Sequence, residues 1–327
     1  MVESVTKTKI DRGVAEAIAG RALPELRLAD VSECTDGWFN AVYTLRFVDH
    51  DPVILKIAPP PAVRVMRYEK DIITTEVRTM RLLGERTELP VPRIIHWDPS
   101  CDIISSPYFL MTACSGVSLQ GQRANLEPHE AAAIDAQIAG VIATINSISG
   151  DYFGRPHENA PRSSTWVDAF HLLIEDLMAD ANDASVVLPE TPSHMANLIH
   201  RLTDELLSTV TQPRLVHWDL WDTNVFIDPV HIEVTGIIDF ERALWADPLM
   251  EAQFVGKRES GVLAARYGVD LLGDEASANR RRIYDLYLYL VMIVESGFRN
   301  YDNDHIETIG RTMLDSVLLE LKNVGLI

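Results

Sequence analysis

Cysteine is scarce in this 327-residue chain. Only Cys34, Cys101 and Cys114 occur, and no two stand at a pairing interval. A disulfide scaffold and a thiolate metal cluster are thereby excluded, and so sparse and odd a set fits a reducing compartment. Basic charge is scarce too, with 29 Lys and Arg against 48 Asp and Glu, a net charge of −19. Such a surface repels nucleic-acid phosphates and anionic headgroups, so neither nucleic acid nor membrane is expected as a partner. Long apolar runs are missing. The longest, Leu286 to Val294, has nine residues, against roughly 20 needed to cross a bilayer. The opening MVESVTKTKIDRG has no apolar signal core, and a cytoplasmic location is expected. There is no internal repeat, and the triple proline at Pro59 to Pro61 is the one low-complexity patch. The rest is ordinary globular-enzyme composition, long enough for two lobes.

What is present concentrates in one place. LVHWDLWDTNVFID puts Asp219 five residues before Asn224, and GIIDFERALWADP then supplies Asp239. Leu215 to His217, Val225 to Ile227 and Val234 to Phe240 read as short strands, with Asp228-Pro229 as a turn. Two strands in hairpin order bring Asn224 and Asp239 to the same end. Oxygen donors without a Cys or His pair suit Mg²⁺, a hard cation. An acid and an amide in one loop, followed by a metal-binding acid, is the arrangement of ATP-dependent phosphotransferases of the protein-kinase type.

These residues resemble the aminoglycoside phosphotransferase family of small-molecule kinases. Its His-x-Asp-x-x-x-x-Asn pattern, followed by Ile-Asp-hydrophobic, is matched by His217, Asp219, Asn224 and then Ile238, Asp239, Phe240. The resemblance implies Asp219 as catalytic base or hydroxyl-positioning group, Asn224 and Asp239 as Mg²⁺ ligands, and a structural His217. Trp218 stands where the family usually has glycine, and Glu241 follows Phe240 where protein kinases have glycine. Only seven residues separate Asp239 from Asp247. That leaves no room for an activation segment and argues for a small hydroxylated acceptor.

A kinase-like reading requires a strand lysine and a helix acid to hold it. Lys56 follows the apolar run Val53 to Leu55, and the prolines from Pro59 end the strand. The next segment carries Ile72, Ile73, Val77, Met80 and Leu83 at helical spacing. Glu76 on that helix is the expected partner, with Glu69 as rival. A lysine in an apolar strand must be paired or reach water; the alternative is an edge lysine facing solvent. Gly37 and Asn40 match a Gly-x-x-Asn feature of the family, in a hairpin whose backbone N–H groups can hold phosphate. The resemblance also implies a linker at about 110–116, where main-chain groups of Met111 and Ala113 bond the adenine edge.

Helical patterns cover 11–23, 72–83, 128–148, 165–181, 194–210, 274–297 and 305–324. A β-rich first third and an α-rich remainder predict an α+β, two-lobe protein-kinase-like fold: a nucleotide lobe over 1–112 and a mainly helical catalytic and acceptor lobe over 113–327. Nucleotide is expected in the cleft between them. On the acceptor side, eight acids and one Arg lie between Ser163 and Val210. They form either a wall for a polycationic sugar antibiotic or a solvated helix face. Trp218, Trp221 and Trp245 either stack a ligand or fill core. Asp222 either faces the acceptor or caps the loop, and Glu241 and Trp245 are expected near the acceptor. The chain thus reads as a small-molecule O-phosphotransferase using ATP or GTP and Mg²⁺, acting on an antibiotic. The alternatives are a housekeeping kinase for choline, a sugar or an amino-sugar, and a non-catalytic nucleotide-binding module.

Overall fold

The computed structural model describes residues 6–34, 39–251, 274–299 and 304–327. The first lobe is built on an antiparallel sheet in spatial order β1-β2-β3-β5-β4. Its strands are β1 (Leu28–Cys34), β2 (Ala41–Phe47), β3 (Val53–Ile57), β4 (Ile94–Asp98) and β5 (Tyr108–Thr112). Successive side chains of a strand point to opposite faces, and β3 uses both. Val53, Leu55 and Ile57 join Leu45 and Leu110 in a core closed by Ala15 and Ile18 of α1 (Arg12–Ala22). Ile54, with Phe109 and Met111, faces Ile73, Val77 and Met80 of α2 (Ile72–Arg86). Lys56 shares the parity of Ile54, so the pleat aims it at α2. Its register partners are Val42 and Phe109.

The second lobe is mainly helical: α3 (Leu119–Gln122), α4 (Pro128–Ser147), α5 (Trp166–Asp183), α6 (Pro192–Leu206), α7 (Glu275–Ser296) and α8 (His305–Asn323). The helices expected from periodicity are found, with ends displaced by a few residues. The apolar run Leu286 to Val294 lies in α7, where nearly every side chain from Ile283 to Val294 is buried. A helix apolar all round is a core helix, and α7 packs on α5, α6 and α8. Among the described residues no helix is long and apolar enough to cross a membrane.

Two small sheets position the site. β6 (Val117–Ser118), β8 (Val225–Asp228) and β9 (Glu233–Ile237) form one; β7 (Arg214–Val216) pairs with β10 (Leu244–Ala246) in the other. Residues 113–116 therefore run from β5 straight onto the β8–β9 hairpin, with Val117 opposite Ile227. Gly116 makes that junction possible. Its φ is +84°, and a Cβ there would collide with the Ile227 carbonyl.

Candidate active site

The β8–β9 hairpin sets the spacing of the site. Asn224 stands directly before β8 and Asp239 just after β9, and the Ile238 N–H donates to the Asn224 carbonyl at 3.1 Å. The two side chains therefore leave adjacent backbone. The Asn224 amide nitrogen donates to the Asp219 carbonyl at 2.8 Å, which closes the loop and leaves the amide oxygen for another partner. His217 is fully buried. Its Nε2–H donates to the Ile238 carbonyl at 3.0 Å, and its Nδ1 accepts the Asp219 N–H at 3.2 Å. Those roles require the neutral ring, and burial lowers its pKa accordingly. The buried Glu251 carboxylate accepts the N–H groups of His217 and Trp218 at 2.9 and 3.0 Å, and the Asn146 amide at 3.2 Å. Trp218 and Asp239 both hold positive φ, 59° and 69°. Left-handed backbone at non-glycine residues costs free energy and persists only where the surroundings impose it.

Asp219 accepts the Trp221 indole N–H at 3.0 Å and lies 3.9 Å from Arg242 Nε. Burial pushes its pKa up to about 6, against the pull of Arg242. Beside it sits Lys56, whose Nζ is 2.6 Å from Glu76, 2.6 Å from Asp239 and 2.9 Å from Glu241. Burial opposes the ammonium, but the three acids outweigh it and raise its pKa well above the ordinary value. One cation cannot satisfy three carboxylates. Burial favours protonation of all three; Asp239 is held below its usual range by Lys56, Glu76 is pushed up to about 7, and Glu241 is raised well above its usual range. Oxygens of Glu76, Asp239 and Glu241 lie within 4.8 Å of one another. This all-oxygen, acid-rich donor set fits a hard divalent cation such as Mg²⁺.

A sequence profile of the phosphotransferase enzyme family matches residues 30–284, from the first strand through the β8–β9 hairpin and into α7. The chain belongs to that family. Solved structures share the fold. A thermostable mutant of aminoglycoside phosphotransferase APH(4)-Ia superposes with a TM-score of 0.64 at 18% identity, covering 95% of this chain and 99% of that one. A ternary complex of an APH(4)-Ia mutant with AMP-PNP and hygromycin B gives 0.63 at 20%, covering 92% and 97%. The streptomycin–ATP complex of APH(2")-IIa gives 0.64 at 15%, covering 94% and 97%. Among curated proteins, acyl-CoA dehydrogenase family member 10 of Mus musculus is 27% identical over 67% of this chain and 19% of its own length. The acyl-CoA dehydrogenase IBR3 of Arabidopsis thaliana is 22% identical over 62% and 24%. The chain thus spans about a fifth to a quarter of the length of these curated relatives.

In this family member, Asp219, Asn224, Asp239, Lys56 and Glu76 come together. Glu69, the rival to Glu76, instead pairs with Arg299 and accepts the Met66 N–H. Glu241, expected toward the acceptor, is buried in the Lys56 cluster. The turn Phe240–Arg242 folds it back, and the Asn40 amide donates to it. The Asn40 amide nitrogen thus reaches across the lobes to Glu241. Trp245, also expected near the acceptor, is core: β10 pairs it with Leu215, and its ring lies where a Gly150 side chain would project. Trp218 is likewise buried and stacks on Tyr287 at 5.3 Å. Asp222 holds the loop, accepting two N–H groups of Arg123 at 2.7 and 2.8 Å. Met111 is buried at the end of β5, and Ala113 is exposed just beyond it. Gly37 lies outside the described residues. Sequence reasoning missed Glu251, Arg242, Tyr68 and Arg155. Arg242 is carried by the turn that follows Asp239; the other three belong to no local pattern and reach the site only through tertiary packing.

Proposed function

We propose that this chain transfers the γ-phosphoryl group of ATP or GTP to a hydroxyl of a small metabolite, using Mg²⁺. The observation that carries the reading is the Lys56 ammonium held between Glu76 of the first lobe and Asp239 of the second, beside the Asp219–Asn224 loop. Lys56, kept in place by Glu76, binds the α- and β-phosphates, and Met111 and Ala113 offer main-chain groups to the base. Asn224 and Asp239 would hold Mg²⁺, which when bound would supply positive charge against the phosphates. Asp219 orients the acceptor hydroxyl. As its oxygen bonds to phosphorus and the bond to the leaving nucleoside diphosphate breaks, the hydroxyl proton passes to the carboxylate. Positioning and electrostatics account for most of the acceleration. Nucleotide complexes of structures with this fold support the first part, including the GDP and kanamycin complex of APH(2")-IIIa.

Two observations favour a metabolite over a polycationic antibiotic. Part of the acidic face of α5 is already spent: Asp180 and Asp183 are paired with Arg67. The curated relatives carry the matching segment on chains named for acyl-CoA dehydrogenation, not for resistance. We place the activity in the cytoplasm, on three cysteines that all remain free thiols.

The test is thermal unfolding with AMP-PNP and Mg²⁺, followed by nucleoside diphosphate release across a panel of hydroxylated metabolites, for the wild type and Asp219→Asn. Nucleotide binding by both with transfer by the wild type alone is expected. Nucleotide binding without transfer to any acceptor indicates the non-catalytic module; no nucleotide binding removes the reading altogether.

A further inference from the structure

The acceptor side of the catalytic loop holds hydrogen-bond donors with nothing to bond. Tyr68 is buried, and among the described residues its hydroxyl has no partner. Its ring lies 6.3 Å from that of Trp218, whose buried indole N–H is also without a partner. Arg242 lies over the same Tyr68 ring at 5.4 Å, with Nε making no hydrogen bond. Arg155 lies over it at 5.7 Å, and its guanidinium makes no hydrogen bond or ion pair among the described residues. Stranding one buried donor costs about 1–3 kcal/mol. Three buried donors around a single ring, with the half-buried Arg155 beside them, indicate that an absent acceptor oxygen completes them.

Arg155 is held rigidly in that position. The preceding Gly154 exchanges both backbone hydrogen bonds with Trp245, at 3.0 and 2.8 Å, and Phe153 exchanges both with Ser163. Gly154 has φ +129°, and a Cβ there would press on the Pro161 carbonyl. The backbone leading into the arginine is thus fixed beside β10, the strand that begins two residues after Arg242. Neighbouring acids are mostly spent: Glu69 on Arg299, Glu295 on Arg242 and Arg299, Asp180 on Arg67. Asp176 is the remaining acid near Arg155, and the two do not pair. Burial lowers the Arg155 pKa, the direction expected of a cation lacking a close counter-ion.

Building on the phosphotransferase reading, we infer that the acceptor is a hydroxy acid whose carboxylate is bound by Arg155 and the Tyr68 hydroxyl while its alcohol faces Asp219. Arginine presents a planar fork that matches a carboxylate. The surrounding acids make a singly charged group a better fit than a phosphate dianion.

The test uses the full chain with ω-hydroxycarboxylates of short, medium and long chain, each matched by its amide, its amine and its phosphate ester. Binding is read by calorimetry on the protein loaded with AMP-PNP and Mg²⁺, and transfer by phosphorus NMR with ATP. Carboxylates are expected to bind and be phosphorylated in preference to the matched compounds. Arg155→Gln should raise the carboxylate KM about ten-fold or more and leave that of the amide unmoved; Arg155→Lys should recover part of the loss. Tyr68→Phe, which removes only the hydroxyl, provides a second variant with a smaller rise. Amines, amides or phosphate esters binding as well as carboxylates overturn the inference, as does absence of carboxylate binding at every length. If Arg155 is merely counter-ion to Asp176, Arg155→Gln lowers thermal stability without moving carboxylate binding, and that also overturns it. Failure to bind AMP-PNP is a different result, because it removes the phosphotransferase reading beneath.

Discussion

Glu251→Ala isolates the support beneath the catalytic loop. The Glu251 carboxylate is fully buried and accepts three donors, the N–H groups of His217 and Trp218 and the Asn146 amide, at 2.9, 3.0 and 3.2 Å. Alanine removes every acceptor at once. An orphaned buried donor costs about 1–3 kcal/mol, and water entering the vacated space recovers part of that for three donors. The expected loss is therefore about 3–5 kcal/mol, a large part of the roughly 5–15 kcal/mol that stabilises a folded domain. Glu251→Gln keeps one acceptor oxygen and turns an NH₂ toward the other donors, so it should lose about half as much. The loop also loses what holds Trp218 at φ 59°, so kcat should fall further than nucleotide affinity. Urea unfolding checks the first part through a lower midpoint at unchanged slope, and steady-state kinetics checks the second. A Glu251→Ala protein within about 1 kcal/mol of wild type, or one whose nucleotide affinity falls as much as kcat, refutes the reasoning.

Asp219→Asn should cut kcat about 10²–10⁴-fold with AMP-PNP binding retained. Because burial holds the Asp219 pKa up at about 6 and only the ionised form accepts a proton, kcat/KM should be full above that pH and fall about ten-fold per pH unit below it; a flat profile down to pH 5 contradicts the role. Lys56→Met removes the cation from among three buried acids, so it should cost about 3–5 kcal/mol in urea unfolding as well as turnover. AMP-PNP alone should raise the unfolding temperature little, since the Lys56 ammonium is already shared among Glu76, Asp239 and Glu241, whereas Mg²⁺ and AMP-PNP together should raise it by several degrees; equal shifts count against the carboxylate cluster as a cation site. Gly116→Ala, forced to φ +84° against the Ile227 carbonyl, should lose about 1–3 kcal/mol, read as a lower unfolding temperature.

The readable part of the site is the part made by local spacing. Asp219, Asn224 and Asp239 sit within one strand–turn–strand stretch, where turn residues and apolar runs fix which end each side chain reaches. Lys56 was legible because a lysine in an apolar strand demands a partner, and Glu76 because a 3.6-residue period put it on the buried face of α2. Glu241 was misplaced for want of one local detail: the turn Phe240–Arg242 reverses the chain, so a residue two positions past Asp239 returns to Lys56 instead of pointing at the acceptor. Trp245 was ambiguous because its burial is decided by the distant Leu215 and Gly150. Tyr68 and Arg155 lie far from the motif in sequence, and Glu251, just past its end, follows no period. Only the packing of separate elements shows what they face.

Charge divides the cleft into halves with opposite needs. On the nucleotide side, Glu76, Asp239 and Glu241 outnumber Lys56, and the Asn40 amide and Lys56 ammonium tie the two lobes together through those same acids. That half calls for a cation, and a metal-bound nucleotide brings one. On the side proposed for the acceptor, Tyr68, Trp218, Arg242 and Arg155 leave donors unspent among the described residues while most nearby acids are paired, so that half calls for oxygen. Asp219 stands between them, its charge opposed by burial and supported by Arg242. An acceptor bearing a carboxylate at one end and a hydroxyl at the other satisfies the second half without disturbing the first, whereas a polyamine would bring still more donors to a wall already rich in them.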